Sequence, residues 1–119
     1  MAKALETARA RYRLIKAKFK QQARLLREAV WEIAGLKVDL CDHEGERVRV
    51  RSMFAEQETD QLMFQRHSRG QGETTYQLLE TEFAKGLDPQ ITNFLSMTNS
   101  IPMFLCEVQR DLFEEQTTI

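Results

Sequence analysis

The residues able to do chemistry in this chain are concentrated in one segment. The stretch RARYRLIKAKFKQQARLLR, from Arg9 to Arg27, holds eight basic residues and no acidic one. Arginine presents a planar fork that matches oxyanions two bonds at a time, and lysine presents a compact point charge. A run of this kind can hold phosphate or carboxylate groups, or it can be a solvated helix face. The chain as a whole is almost neutral, with 17 basic and 18 acidic residues. The charges are segregated, however. Residues 1–28 carry nine basic and two acidic residues, whereas residues 29–119 carry eight and sixteen. A basic arm on an acidic head points to a polyanionic partner for the arm.

Other candidate groups carry less. Arg47, Arg49 and Arg51 alternate in RVRVRS, which on a strand makes a cationic row with about 6–7 Å between neighbours. The row reads as a solvated sheet face neutralised by Glu80 and Glu82 across a strand pair, or as a second anion-binding strip. His43, between Asp42 and Glu44 and near Gly45, could contribute to a metal site. Adjacent residues in a tight turn rarely converge on one ion, so the cluster reads as a solvated turn. His67 has no evident partner. Glu80 and Glu82 lack the opposed surface and raised pKa that a catalytic carboxylate pair needs. There is no Gly-x-Ser-x-Gly, phosphate-binding loop, dinucleotide fingerprint or Cys-x-x-Cys. The sequence therefore points away from catalysis and calls for no metal or cofactor. Cys41 and Cys106 read as reduced core thiols of an intracellular protein. No stretch is long and apolar enough for a membrane span, and the basic N-terminus lacks the apolar core of a secretory signal.

The elements that must position the cations follow from periodicity. Residues 3–34 contain no Gly or Pro and are rich in strong helix formers. Leu5, Tyr12, Phe19, Leu26 and Ile33 recur every seven residues, and Ala8, Ile15, Gln22 and Ala29 fill the second seam position. This is a coiled-coil pattern whose polar exception, Gln22, can fix register. A helix of this length spans about 48 Å. A head of roughly 90 residues, with a radius of gyration near 12–13 Å, cannot cover the whole stripe. A second copy of the helix is the simplest cover. A parallel homodimer brings Arg11 near its mate's Lys16, whereas Leu25 and Val30 widen the seam further on. The pairing should be tighter toward residue 34.

Gly35 stops the helix. LKVDLC, RVRVRSMF, QLMFQRH and TYQLLETEF then read as four antiparallel strands, with DHEG, AEQETD and SRGQGET as turns. Asp88 and Pro89 open a first short helix. Ser100 and Pro102 open a last one, carrying Phe104, Leu105, Val108, Leu112 and Phe113, and EEQTTI reads as a frayed tail. The fold class is α+β: a coiled-coil helix over 1–34, an α/β head over 35–115 with a four-stranded antiparallel sheet and two helices, and a tail over 116–119.

Several functions compete for the basic helix. A DNA-binding basic zipper places its cations before the heptads, but here they lie beside the seam, so the helices cannot fork around a groove. The acidic head has no stacking motif for RNA, which also opposes nucleic acid. A membrane-surface helix needs a broader apolar face. A dimeric docking module for an acidic or phosphorylated peptide fits better, and a purely structural dimerisation cap is its rival from another class.

SMFAE after an alternating strand, then LLETEF, NSIPMFL and a terminal LFEEQT, resemble the C-terminal domain of the mitotic-arrest-deficient checkpoint family. That family partners the small mitotic-arrest HORMA protein at kinetochores. The resemblance covers nearly the whole chain, and it implies a parallel coiled-coil dimer leading into RWD-like heads and a non-enzymatic role in the spindle assembly checkpoint. It also implies a nuclear, kinetochore, nuclear-envelope and spindle setting, and contacts that promote assembly of the mitotic checkpoint complex, including with the anaphase-promoting-complex activator. The HORMA partner binds upstream of these residues. The family's Arg-Leu-Lys motif receives a phosphorylated, partly helical segment of a checkpoint kinase scaffold. Its nearest match is Arg13-Leu14-Ile15-Lys16, one residue longer. In ungapped register Ile15 and Lys16 take the apolar and lysine places and Leu14 stands at the arginine place. Arg13 is one residue earlier, rotated by about 100°. Arg9, Lys16 and Lys20 are the other cations within reach of the same phosphate. Thr117 falls at the family's regulatory C-terminal phosphorylation site.

Overall fold

In the computed structural model, residues 2–68, 70 and 72–117 are described. They form a long helix α1 (Ala2–Ala34), strands β1 (Leu36–Leu40), β2 (Arg47–Ser52), β3 (Leu62–Ser68) and β4 (Thr74–Leu79), and helices α2 (Glu82–Lys85), α3 (Asp88–Gln90) and α4 (Ile101–Thr117), with a π-helical segment over Ile91–Ser96. Two compact units result, residues 1–34 and residues 35–119. The coarse architecture is that expected from periodicity: a long N-terminal helix, then a four-stranded antiparallel sheet and C-terminal helices.

Gly35 ends α1 because it adopts a left-handed φ of +68°, which an L side chain resists. The strands then lie in sequence order, β1-β2-β3-β4, each antiparallel to the next. In β2 the alternation works as its sequence suggests. Val50 and Ser52 are buried, and Arg47, Arg49 and Arg51 occupy the opposite face. Cross-strand register sets Leu36 opposite Ser52 and Val50 opposite Leu62, and it lines up Val48, Phe64 and Leu78 across three strands. Together with Ala84, Phe104, Val108 and Leu112 these residues make the core of the head, with Phe104 fully enclosed. Ser52 is the buried polar member. Its hydroxyl lies 3.3 Å from Gln109 Oε1 on α4 and accepts from the Phe54 N–H at 3.1 Å, so its burial leaves no unmet bond.

Several sequence expectations are corrected. The fourth strand stops at Leu79, because Thr81 accepts from the Ala84 N–H at 3.1 Å and caps α2. LLETEF is therefore a strand end followed by a helix start. Asp88 lies inside α3 and provides no side-chain cap; Leu87 takes the cap position. The expected first helix continues as a wider π-helical segment, with the Met97 N–H bonded to the Thr92 carbonyl at 3.2 Å. Asn99, at φ +53°, then turns the chain, and the Ser100 hydroxyl accepts from the Met103 N–H at 3.3 Å at the start of α4. The stretch read as a fraying tail is helical through Thr117. Phe113 meets Phe54 edge to face at 5.2 Å, and Gln116 Nε2 donates to the Phe54 carbonyl at 2.7 Å, which hold the last turns down. The rest of that tail, Thr118 and Ile119, lies outside the described residues, as do Arg69 and Gln71 of the β3–β4 turn. Cys41 and Cys106 are free but exposed, one just past β1 and the other on the outer side of α4, so neither is a core thiol.

Two substitutions test this construction. Phe104→Ala should destabilise the head by about 3–5 kcal/mol in denaturant unfolding, because the enclosed site cannot collapse around the loss. Gly35→Ala should cost roughly 1–3 kcal/mol, from the left-handed backbone and from displacing Gln109, whose Oε1 stands 2.9 Å from the added Cβ.

Candidate functional site

α1 is an unbroken 33-residue helix in which no described residue is buried. Its side chains are sorted by the helical repeat of 100° per residue. Arg9, Arg13, Lys16 and Lys20 fall within one face, at spacings of four, three and four residues. Arg24 and Arg27 continue that face, and with Lys20 they edge a shallow concavity around Ala17 and Ala23. The sequence reading of the site missed Arg24 and Arg27, although the same 4-3-4-4-3 spacing of cations was available to find them. Leu14 does not join this face; it lies about 100° from Arg13, toward the side that carries Leu25. Of the Arg-Leu-Ile-Lys match, then, Arg13 and Lys16 share one face, and Leu14 projects elsewhere.

Among the described residues, Arg9, Arg13, Lys16 and Lys20 have no carboxylate within ion-pair distance, and Arg24 reaches Glu28 at 3.9 Å. Beside the cationic face runs the seam of Leu5, Tyr12, Ile15, Phe19, Gln22, Leu26 and Ile33. Its large apolar members are all more than half exposed, from 54% at Leu5 and Ile15 to 87% at Ile33. Arg11 and Lys18 line its other flank. The arrangement offers fixed positive charge next to apolar surface, which suits an amphipathic acidic segment.

The arginine row on the head is arranged differently from expectation. β2 lies between β1 and β3, so Glu80 and Glu82 are not across from it. Glu82 begins α2 and pairs with Lys85 at 3.1 Å. Arg49 instead reaches Asp39 at 3.5 Å, and Arg47 donates to Gln65 at 3.2 Å. Arg51 stands opposite Lys37, like charge facing like. In the His43 turn, Asp42 Oδ1 accepts from the Glu46 N–H at 2.9 Å, a turn-closing bond. His67, expected to lack a partner, has Gln77 Oε1 at 3.1 Å. Thr117 is the last described residue of α4, and its hydroxyl donates to the Phe113 carbonyl at 3.0 Å.

The chain is thus of α+β class, a long helix with one cationic and one apolar face followed by a four-stranded head. Two comparisons make this specific. The chain belongs to the mitotic checkpoint protein family MAD, whose model matches residues 1–117. It is also similar to the human mitotic spindle assembly checkpoint protein MAD1, with 30% identity over 117 residues, covering 98% of this chain and 16% of that protein. The chain thus spans about one-sixth of the relative's length.

The unpaired cations repel one another along the helix, at roughly 0.2–0.5 kcal/mol per i,i+4 contact. Lys20→Glu turns the contacts with Lys16 and Arg24 from repulsive to attractive. It should raise the thermal stability of α1 helicity at low salt, by about 1–2 kcal/mol in circular dichroism melts. The gain should shrink as salt screens it.

Proposed function

We propose that this chain is a non-enzymatic, dimeric docking domain of the spindle assembly checkpoint. Two copies pair in parallel through the Leu5-to-Ile33 stripe and lead into RWD-like heads. Each cationic face then receives a phosphorylated, acidic, partly helical segment of a checkpoint kinase scaffold at the kinetochore. Arg9, Arg13, Lys16 and Lys20 hold the phosphate and the acidic side chains, and Leu14 contacts the segment only if it wraps past the cationic face. The observation that carries this reading is the unpaired one-sign face beside an uncovered apolar stripe, in a chain of the mitotic checkpoint family.

The physical terms agree in size. A phosphate carries about −1.5 to −2 charges and adds one to three charge-assisted hydrogen bonds. Each is worth about 1.5–3 kcal/mol, enough to switch a weak peptide contact on. In the dimer, the Arg11–Lys16 approach loosens the end near residue 2, and Leu25 and Val30 tighten the end near the head. The head is the surface for further checkpoint proteins, including the anaphase-promoting-complex activator, in assembly of the mitotic checkpoint complex. Within it, Arg49 of the Arg47–Arg49–Arg51 row is paired with Asp39, whereas Arg51 faces Lys37, and these two cations together are the part suited to a second anion. A phosphate on Thr117 would replace its back-bond and set negative charge at a helix C-terminus beside Glu114 and Glu115, loosening the last turn and freeing it for a partner. The setting is the kinetochore, nuclear envelope and spindle of a dividing cell, and the HORMA partner engages a segment upstream of these residues.

Sedimentation tests the dimer directly. The chain should run as two copies at micromolar concentration, and Phe19→Asp should shift it to one. A single chain for the unmodified protein refutes the pairing. For the docking face, a synthetic acidic helical peptide with one phosphothreonine is titrated against the chain and against Arg13→Ala/Lys16→Ala. The double variant should bind at least about tenfold more weakly, as expected for losing one charge-assisted bond. Equal affinity for the phosphorylated and unphosphorylated peptides would favour a structural dimerisation cap, and a salt-steep affinity for arbitrary duplex DNA would favour nucleic acid.

A further inference from the structure

The sheet of the head has two open edges, β1 and β4, and they are built differently. β1, LKVDL, carries Lys37 and Asp39, charges of the kind that discourage another strand from pairing. β4, TTYQLL, has no charge, no proline and a composition that favours extended backbone. It pairs with β3 on one side and, among the described residues, with no strand on the other. Natural sheets seldom leave such an edge undefended, because its free N–H and C=O groups are a template for a further strand.

A groove with room for about 570 Å³ runs beside that edge. Five consecutive residues, Tyr76 to Glu80, line it. Side chains alternate between the faces of a strand, so a groove lined by consecutive residues follows the strand's backbone edge. Across from β4 the wall is the π-helical segment and the start of α4, which contribute Ile91, Leu95 and Ile101, all half-buried. The rim is acidic: Glu80 and Asp88 are exposed there, and the lysine on the same rim, Lys85, is paired with Glu82.

We infer that the β4 edge and the adjoining groove form a peptide-docking site, separate from the cationic face of α1, that takes an extended basic–apolar segment of a partner protein as a fifth strand. Backbone bonds to β4 supply the register, as in other cases of strand addition. About six residues of partner match the six of β4. Alternate apolar side chains of the segment rest on Ile91, Leu95 and Ile101, and lysine or arginine between them meets Glu80 and Asp88. The site selects partners opposite in sign to those of α1. One chain can then hold an acidic and a basic segment at once.

The test uses the 119-residue chain labelled with ¹⁵N and an octapeptide alternating valine with lysine or threonine. Two control peptides carry glutamate in place of lysine, or N-methyl groups on alternate backbone nitrogens. The lysine peptide should slow hydrogen exchange of alternate amides between Tyr76 and Leu79 by at least tenfold. Both controls should bind at least tenfold more weakly. Leu95→Asp should abolish binding, with exchange protection in β1 and β2 retained. No β4 protection by the lysine peptide overturns the proposal, and so does equal binding of either control. Protection of β4 that grows with protein concentration alone also overturns it, because the occupant is then a second copy. Should Leu95→Asp lose the β1–β2 protection and fail to fold, the N-methylated peptide on the unmodified chain still decides.

Discussion

Everything distinctive about this chain depends on the cost of leaving an apolar stripe in water. In α1 the side chains of Leu5, Tyr12, Ile15, Phe19, Leu26 and Ile33 are mostly exposed, and no described residue of the helix is buried. Fully covering such a side chain is worth roughly 1.5–3 kcal/mol, and helices draw most of their stability from packing rather than from propensity. The stripe is therefore the strongest demand that the sequence makes for a partner. On one helix the cations repel each other at i,i+4 spacing.

The head answers a different constraint. It has a small core of its own, in which Phe104, Val108 and Leu112 of α4 pack onto Val50, Leu62 and Phe64 of the sheet. Acidic residues populate its surface, and the sheet leaves one edge charged and the other bare. The two units are thus opposite in charge, residues 1–28 basic and residues 29–119 acidic. Family membership places this division of charge in a mitotic checkpoint protein.

Much of this was legible in the residues. The heptads of α1, the alternation in β2 and the stop at Gly35 each rest on a local rule with one strong solution: period seven, period two, and a left-handed backbone. The misreadings share another cause. LLETEF looked extended because Thr and Phe favour strands, but Thr81 found an N–H to cap. The C-terminal run looked frayed because nothing nearby in sequence holds it, yet Phe54, some sixty residues earlier, does. Glu80 and Glu82 were set against the arginine row because strand order cannot be read from spacing, and β3 lies between β2 and β4. The cysteines were placed inside by their apolar neighbours, but one falls past a strand end and the other on the outer side of a helix.

By itself the sequence determined the long helix and its stop, the alternation of β2, the segregation of charge and the face on which each cation of α1 lies, because these follow from backbone geometry over a few residues. Tertiary structure alone decided which strands are neighbours, which edge of the sheet stays open, and that a groove with an acidic rim lies beside it. Those features join residues far apart in the chain, and they depend on how the layers of the head pack. No local spacing encodes that, since chain entropy and burial are settled only when the whole head closes.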